Sequence, residues 1–363
     1  MSFVQPDAPL VSVVMPVYNA ATYLPAAIES ILTQTHEDFE FIIADDGSAD
    51  NSAVLIQTFA ARDRRIRPLF LPHGGQAKAG NACVEVAQGR WLARMDADDV
   101  ALPQRLAIQL AWLQESNVDV GGCSFVKRFG NEDGFLWFPA SHAAIQHELL
   151  FRVGLLQPTM MLSTALAKAY PYAEQSAFED YEWQLRLARQ HRLGNLPQVL
   201  HQYRCHPTQV HIQRSDDFQA DLRRYRRPHF FSLFPEATAR DYTALAHVLD
   251  RIACPTLAEL ALAGQWLVRL AQGQEQRLRE KMAGRWQATC LRSAGLGADC
   301  YQLYARYAPQ FQVPEAPNVY RLRIACALQL RHDTQLHRSY LRYKLAIGRL
   351  AWLFNRQRKS YNL

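Results

Sequence analysis

The sequence of 363 residues lacks any hydrophobic run long enough to cross a membrane. Its longer apolar stretches, such as LAWLF at 350–354, fall far short of the roughly 18 residues that a spanning helix needs. The first residues, MSFVQPDAPLVSVVMPVY, place no basic segment before their apolar run, as a signal peptide would. We therefore expect a protein that acts in the cytoplasm.

Cysteine is also scarce, and none of the seven cysteines forms a C-x-x-C pair. A structural zinc site needs such closely spaced ligands, and a disulfide-stabilised fold needs a far denser set. We therefore expect unpaired thiols in a reducing compartment. The cysteines are Cys83, Cys123, Cys205, Cys254, Cys290, Cys300 and Cys326.

The glycine-rich loops that bind nucleotide phosphates are absent as well. Neither the pattern G-x-x-x-x-G-K-[ST] nor G-x-G-x-x-G follows the first hydrophobic segment, so P-loop and dinucleotide-binding proteins are excluded. If this chain binds a nucleoside diphosphate, a metal ion would be needed instead to neutralise the negative charge of the diphosphate.

Charge is unevenly distributed along the chain. Residues 1–215 contain 17 Lys and Arg against 22 Asp and Glu, whereas residues 216–363 contain 23 against 12. This asymmetry suggests a site for cations or neutral polar ligands in the first part and a surface for anions in the second. With 49% hydrophobic residues, the chain can build two packed domains of ordinary size.

The first 215 residues alternate between short apolar strands and amphipathic helices. This alternation predicts a doubly wound sheet with right-handed crossovers. The predicted strands are 11–15, 39–44, 66–71, 91–95, 117–125 and 159–162, and the predicted helices are 21–34, 50–61, 78–88 and 179–190, the last lying between irregular loops. Residues 216–363 carry only helical patterns, at 216–232, 241–252, 256–282, 283–307 and 319–356. We therefore predict an α/β domain at 1–215 and a helical domain at 216–363.

Polar residues follow three of the predicted strands, where an open sheet of this kind binds ligands. The first strand leads into Pro16, Val17 and Tyr18, the second into the Asp45–Asp46 pair, and the fourth into the sequence DADD at 96–99. These carboxylates would repel one another unless cations or hydrogen-bond donors lie among them. The DADD sequence could bind Mg²⁺ or Mn²⁺ through oxygen; taken alone, it is equally a solvated turn or a helix cap.

Several segments together resemble glycosyltransferase family 2. They are VSVVMPVYNAATYLPAAIESILTQTHEDFEFIIADDGSAD, GNACVEVAQGRWLARMDADDVALPQRL and FEDYEWQLRLARQHRLGNLPQVLHQYRCHPTQV, which span about residues 10–211. The resemblance implies a GT-A fold, an α/β doubly wound mixed sheet followed by helices. It also implies transfer of a sugar with inversion at its anomeric carbon.

The resemblance assigns roles on the donor side of the site. Tyr18, after Pro16 and Val17, would stack on the nucleotide base, Asp46 would accept a hydrogen bond from uracil, and Lys78 would contact phosphate. Asp96 would contact the ribose or reach the metal ion through water. Asp98 and His206 would coordinate Mn²⁺ or Mg²⁺, and Asp99 would orient its neighbours or the sugar.

Asp180, in the sequence FED at 178–180, matches the catalytic base of this family. It would take the proton from the acceptor hydroxyl as that oxygen attacks the sugar. A Glu-Asp pair at the start of a helix also favours the helix dipole, so the pair alone is no evidence of catalysis.

The last residues, 338–363, contain seven basic residues and no acidic one, interleaved with aromatic and aliphatic side chains. Such a tail fits an anionic lipid surface, and it fits equally a helix packed on its own domain. No motif that reads a nucleic-acid groove accompanies it, so we expect no nucleic-acid partner.

These patterns predict a metal-dependent transferase that moves a hexose or N-acetylhexosamine from a UDP-sugar to a hydroxyl of a lipid-linked bacterial glycan. The acceptor would be a lipid-linked or free oligosaccharide, and peripheral contact with the inner face of the cytoplasmic membrane would suit it. Two alternatives remain at this point: a sugar-1-phosphate nucleotidyltransferase, and a non-catalytic protein that binds sugar nucleotides. The first lacks its expected glycine-rich basic loop after the first strand.

Overall fold

The computed structural model describes residues 9–129, 132–176, 178–206, 217–314 and 319–330. The chain divides into two units, Met1–Leu233 and Phe234–Leu363. The boundary predicted after residue 215 falls outside the described residues and stays a prediction. The helix at Asp217–Leu233 belongs to the first unit, where His229 Nε2 lies 2.9 Å from the carbonyl oxygen of Gln146.

The first unit is built on a nine-stranded mixed sheet with the order β3-β2-β1-β4-β8-β6-β9-β5, and β7 pairs with β6. The strands are β1 Val11–Val17, β2 Phe39–Asp45, β3 Ile66–Phe70, β4 Trp91–Arg94, β5 Val100–Ala101, β6 Val120–Phe129, β7 Glu132–Leu136, β8 Met161–Ser163 and β9 Leu193–Cys205. The helices are α1 Leu24–Leu32, α2 Ser52–Ala60, α3 Gln76–Val86, α4 Arg105–Glu115, α5 His142–Glu148, α6 Thr164–Ala169, α7 Glu179–Ala188 and α8 Asp217–Leu233.

The centre of the sheet is parallel and buried, as the apolar runs predicted. Strand β1 pairs in parallel with β2 on one side and β4 on the other, and every residue of β1 and β2 is buried. Side chains alternate between two core clusters: Val13 and Met15 lie in the cluster that includes α1, and Val14 lies in the cluster that includes α3. Helices on both faces explain why these strands are apolar throughout.

Strand β9 differs from the sequence prediction, which placed irregular loops on both sides of helix 179–190. Strand β9 is thirteen residues long and pairs in parallel with β6, and the register shifts between Leu196 and Val199, beside Pro197, and again between Val199 and His201. Proline has no N–H group to donate to the neighbouring strand, so a proline inside a segment argues against a strand there. Pairing with β6 forms the strand nevertheless, and the proline lies at a bulge. The end of β9 pairs with β5 and brings His201, Arg204 and His206 to the loop that follows β4.

The second unit is helical in its described part. Its α-helices are α9 Ala239–Leu249, α10 Leu257–Ala271, α11 Gln276–Arg292, α12 Ala298–Tyr307 and α13 Val319–Ala327. The continuous helices predicted at 256–282 and 283–307 are wrong. Each is interrupted near a glycine with positive φ, which is 71° at Gly273 and 90° at Gly297. Glycine adopts a positive φ readily because it has no side chain, and such a residue commonly ends a helix.

The seven cysteines are unpaired, and six of them are buried, in agreement with the expected reduced thiols. Among the helices that the structure describes, none combines the length and the apolar character that crossing a bilayer requires. The basic tail at 338–363 lies outside the described residues.

Candidate active site

The ends of β1, β2 and β4 meet at one edge of the sheet, as expected for neighbouring parallel strands. Val17 pairs with Asp45, and the N–H of Met95 donates to the carbonyl oxygen of Val14. Tyr18, Asp46 and Asp96 therefore follow adjacent strands at the same edge. This is the edge at which sequence analysis placed the ligand site.

Tyr18 presents an exposed aromatic ring at this edge, while Pro16 and Val17 are buried within β1. The Tyr18 ring is 50% exposed and stacks on the ring of His73, with centroids 4.3 Å apart and an interplanar angle of 24°. Asn19, at φ 50°, accepts the N–H of Ala49 at its side-chain oxygen, which ties the end of β1 to the loop after β2. Tyr18 thus stands on a fixed backbone with its ring toward solvent.

Asp46 is buried, and both of its carboxylate oxygens accept hydrogen bonds from the protein. Oδ1 accepts the N–H of Gly74 at 2.8 Å, and Oδ2 accepts the N–H of Gly75 at 2.9 Å. His73 Nδ1 lies 2.9 Å from Oδ2. The structure thus makes Asp46 the anchor of the turn that begins α3, a role the sequence did not indicate.

Lys78 is exposed on the first turn of α3, against the same loop. A Cβ atom at Gly74 would come within 2.5 Å of Lys78 Cδ, so the glycine leaves room for the lysine stem. The ammonium group is therefore placed next to the turn that Asp46 holds.

Asp96, Asp98 and Asp99 form a compact acidic cluster after β4. One carboxylate oxygen of each lies within 4.8 Å of the other two. Each acid also has a basic or donating partner. Arg94 Nη2 lies 3.2 Å from Asp96 Oδ1, and His206 Nε2 lies 2.9 Å from Asp98 Oδ2.

Asp99 is fully buried and is held by β9. His201 Nε2 lies 2.8 Å from its Oδ2, and the backbone N–H of Arg204 donates to its Oδ1 at 3.0 Å. Burial, together with the negative charges of Asp98 and Asp96, raises the pKa of Asp99 well above its ordinary value. Burial and the positive charge of Arg105 lower the pKa of His201 well below its ordinary value. Charge is therefore disfavoured on both members of this pair.

Two buried arginines lie behind the acidic cluster. Arg94 donates to the carbonyl oxygen of Met95, and Arg105 Nη2 donates to the carbonyl oxygen of Arg94 at 2.6 Å. Burial raises the pKa of Asp96 to about 6; Arg94 opposes this shift, whereas the charges of Asp98 and Asp180 add to it. The buried arginine Arg94 thus offsets only part of the burial and charge repulsion that raise the pKa of Asp96. An arginine inside the apolar run WLARM was the signal that could have revealed this.

His206 is oriented by an aromatic contact as well as by Asp98. Its ring stacks on Tyr23, with centroids 4.4 Å apart and an interplanar angle of 26°, and the Arg204 guanidinium lies 5.1 Å from the same Tyr23 ring. The structure therefore brings together Asp98 and His206, which are 108 residues apart in sequence.

Asp180 lies in the first turn of α7, where its Oδ1 accepts the N–H of Tyr181 at 2.7 Å. Its negative charge acts on Asp96, which places it within electrostatic reach of the acidic cluster. The neighbouring Glu179 is buried, and its charge acts on Arg94. The acid predicted as a base therefore lies near the proposed metal ligands.

The donor set fits a divalent metal ion. The ligand atoms of Asp98 and His206 are 2.9 Å apart, and neighbouring ligands at 2.0–2.1 Å from a six-coordinate ion are separated by about 3 Å. Asp99 has protein partners at both oxygens, whereas the side chains of Asp96 and Asp98 remain 24% and 27% exposed. Carboxylate oxygen with one imidazole nitrogen suits Mn²⁺ or Mg²⁺.

The family model described as glycosyl transferase family 2 matches residues 12–166. Glycosyltransferase GlyG of Streptococcus pneumoniae is 38% identical over 112 residues, which are 31% of this chain and 37% of that protein. The uncharacterized glycosyltransferase EpsJ of Bacillus subtilis is 35% identical over 123 residues, 33% of this chain and 35% of that protein. The chain thus spans little more than a third of these two relatives.

A longer match is with an uncharacterized glycosyltransferase of Methanocaldococcus jannaschii, 30% identical over 239 residues, which are 62% of this chain and 79% of that protein. Among solved structures, S. aureus TarS 1-349 in complex with UDP-GlcNAc has a TM-score of 0.53 at 17% identity, covering 83% of this chain and 89% of that one. This likeness supports a GT-A fold. The chain belongs to glycosyltransferase family 2.

Proposed function

We propose that this chain is a metal-dependent, inverting glycosyltransferase that moves a hexose or N-acetylhexosamine from a UDP-sugar to a hydroxyl of a lipid-linked bacterial glycan. The observation that carries the proposal is the gathering of Asp96, Asp98 and His206 at one sheet edge, within reach of Asp180. The TarS neighbour was solved with UDP-GlcNAc, which supports a UDP-sugar as the donor.

The donor nucleotide is proposed to lie along the ends of β1 and β2. The exposed Tyr18 ring offers a flat apolar surface on which a uracil ring stacks. Asp46 holds the turn beside it, and the uracil contact assigned to Asp46 would use the remaining lone pairs of its carboxylate. Lys78, beside the same turn, is proposed to contact a phosphate.

Asp98 and His206 are proposed to hold the metal ion, with Asp96 contributing directly or through water. When bound, the ion neutralises negative charge on the departing nucleoside diphosphate. The protein's own part is to fix these ligands. Tyr23 orients the imidazole of His206, and Arg94 orients the carboxylate of Asp96.

Asp180 is proposed as the general base. It accepts the proton of the acceptor hydroxyl while that oxygen forms its bond to the anomeric carbon and the bond to the diphosphate breaks. A single displacement of this kind inverts the anomeric centre. Asp180 lies in the first turn of α7, where the helix dipole favours a negatively charged side chain.

The acceptor is proposed to be part of a lipooligosaccharide, O-antigen, capsule or exopolysaccharide. The seven basic residues in 338–363, without any acid, suit peripheral contact with the anionic membrane that would carry such an acceptor. This contact is proposed from the sequence of the tail alone.

Transfer assays with radiolabelled UDP-Glc, UDP-Gal, UDP-GlcNAc and UDP-GalNAc and a lipid-linked glycan acceptor, with Mn²⁺, test the proposal. We expect one donor to be turned over and EDTA to stop the reaction, whereas turnover that survives EDTA would refute the metal role. Donor binding without transfer to any acceptor and without hydrolysis would instead support a non-catalytic sugar-nucleotide-binding protein.

The substitution Asp180→Asn tests the base separately. It should lower kcat at least about a hundredfold and leave UDP affinity nearly unchanged, because it removes proton transfer and not the donor contacts. Glu182→Gln is the matched control, since Glu182 lies two residues further along α7 and forms a partly buried pair with Arg186. Loss of UDP binding in Asp180→Asn would reassign Asp180 to the donor site.

A further inference from the structure

One row of apolar side chains is exposed on α13, in the second unit. Tyr320, Ile324 and Leu328 are spaced four residues apart and are 59%, 45% and 64% exposed. Leu322 and Cys326, on the opposite side of the helix, are buried in the helical core. We refer to Tyr320, Ile324 and Leu328 as the α13 stripe.

The α13 stripe differs from the other large hydrophobic side chains exposed in the described part of the chain. Those are Tyr18, at the donor site, and Val54, Phe70 and Ile252, each on a separate element. Single exposed apolar residues are ordinary on protein surfaces, but a continuous row marks a face that meets something apolar.

The two charged side chains of α13 itself, Arg321 and Arg323, are both positive. Arg323 is exposed beside the α13 stripe, and the Arg321 guanidinium lies 5.5 Å from the Tyr320 ring centroid while its Nε donates to the tyrosine hydroxyl at 3.1 Å. Residues 316–363 contain ten Lys and Arg against one acid, Asp333. An apolar row with an aromatic residue and flanking arginines is typical of a helix that lies in the interface of an anionic bilayer.

We infer that the α13 stripe docks on the surface of an anionic lipid bilayer, with Tyr320, Ile324 and Leu328 entering the interface and Arg321 and Arg323 contacting headgroups. Charge selects this occupant over two others. The basic segment 331–363 and the same face of a second copy would both bring like charges against Arg323, whereas anionic headgroups attract it. The inference deepens the membrane contact proposed above by naming a second surface for it, and its test needs no transferase activity.

Co-sedimentation of the full-length protein with vesicles tests it. One set contains phosphatidylcholine alone, and the other contains phosphatidylcholine with phosphatidylglycerol. We expect binding to the anionic vesicles and a partition coefficient about tenfold lower for Tyr320→Ser/Ile324→Ser/Leu328→Ser. The matched control is Val54→Ser/Ile252→Ser, which removes equally exposed apolar side chains elsewhere and should bind as the wild type does.

Thermal unfolding and circular dichroism of each variant accompany the binding measurements. Because a triple substitution can disturb folding, Leu328→Ser alone serves as the second variant, with a smaller but measurable loss. Arg323→Gln should weaken binding to anionic vesicles only. Unchanged binding of a folded triple variant would overturn the inference, and so would equal binding to the two vesicle types. A large fall in melting temperature in Leu328→Ser would also overturn it, since the stripe would then be covered by its own chain.

Discussion

Asp46 offers a sharp test of how the donor side of the site is held. Its carboxylate accepts two backbone N–H groups, from Gly74 and Gly75, in a buried position. In Asp46→Asn one oxygen becomes an amide nitrogen that faces one of these N–H donors. One charge-assisted hydrogen bond to a buried oxygen is lost and a partly buried N–H group is left facing another donor, which costs about 1.5–3 kcal/mol. For a unit of this size, the melting temperature should fall by about 3–12 °C.

Thermal unfolding without ligand measures this effect, and UDP titration measures its consequence for the site. The control is Asp63→Asn, the same chemical change in a pair with Arg65 whose side chains are about a quarter exposed, which should cost less than about 1 kcal/mol. We expect weaker UDP binding from Asp46→Asn because the turn beside Tyr18 loosens. An unchanged melting temperature, together with a changed preference among nucleobases, would refute the anchoring role and leave Asp46 with the proposed uracil contact alone.

Two further predictions concern the acidic cluster. His201→Leu should lower stability by about 1–3 kcal/mol in thermal unfolding, because it leaves the buried acid Asp99 without one hydrogen-bond partner. His201→Asn, which keeps a donor, should recover part of the loss; equal losses in both would contradict a hydrogen-bonding role. The pKa of Asp96, raised to about 6, predicts a pH-dependent metal effect. The Asp96 side chain contributes most to stability below about pH 4, where it is neutral. This contribution is lost as the pH rises through 6, where the Asp96 carboxylate becomes charged. Since the cation binds the charged form, the melting-temperature gain from Mn²⁺ should be larger at pH 7 than at pH 5; a gain independent of pH would remove Asp96 from the metal site.

The central strands and their ends were predictable because their signals are local. Strands β1 and β2 are runs of consecutive buried residues, and runs of Val, Ile and Phe of that length indicate buried strands. Once these strands are parallel neighbours, the polar residues that follow them must share an edge. The meeting of Tyr18, Asp46 and Asp96 was therefore implied by the sequence, and the structure bears it out.

The supports of the site were not predictable, because they depend on pairing between distant segments. His201 meets Asp99 across 102 residues, and it does so only because β9 runs beside β6 and β5. Gly194 and Pro197 within β9 oppose a strand locally, and tertiary pairing overrides them. Arg94 is a second support of this kind. Its position in an apolar strand is visible in the sequence, but only the fold identifies Asp96 as its partner.

Burial divides the carboxylates of this edge into two kinds, although the sequence shows them as one motif. Asp46 and Asp99 are almost fully buried and use both oxygens to hold a loop or a strand, so they are already satisfied by the protein. Asp96 and Asp98 keep about a quarter of their side-chain surface exposed beside Arg94 and His206. A buried acid with protein donors at both oxygens gains little from a cation, whereas a partly exposed acid among other acids gains much from one. The ion is therefore expected to bind between Asp98, Asp96 and His206, while Asp99 fixes the turn that presents them.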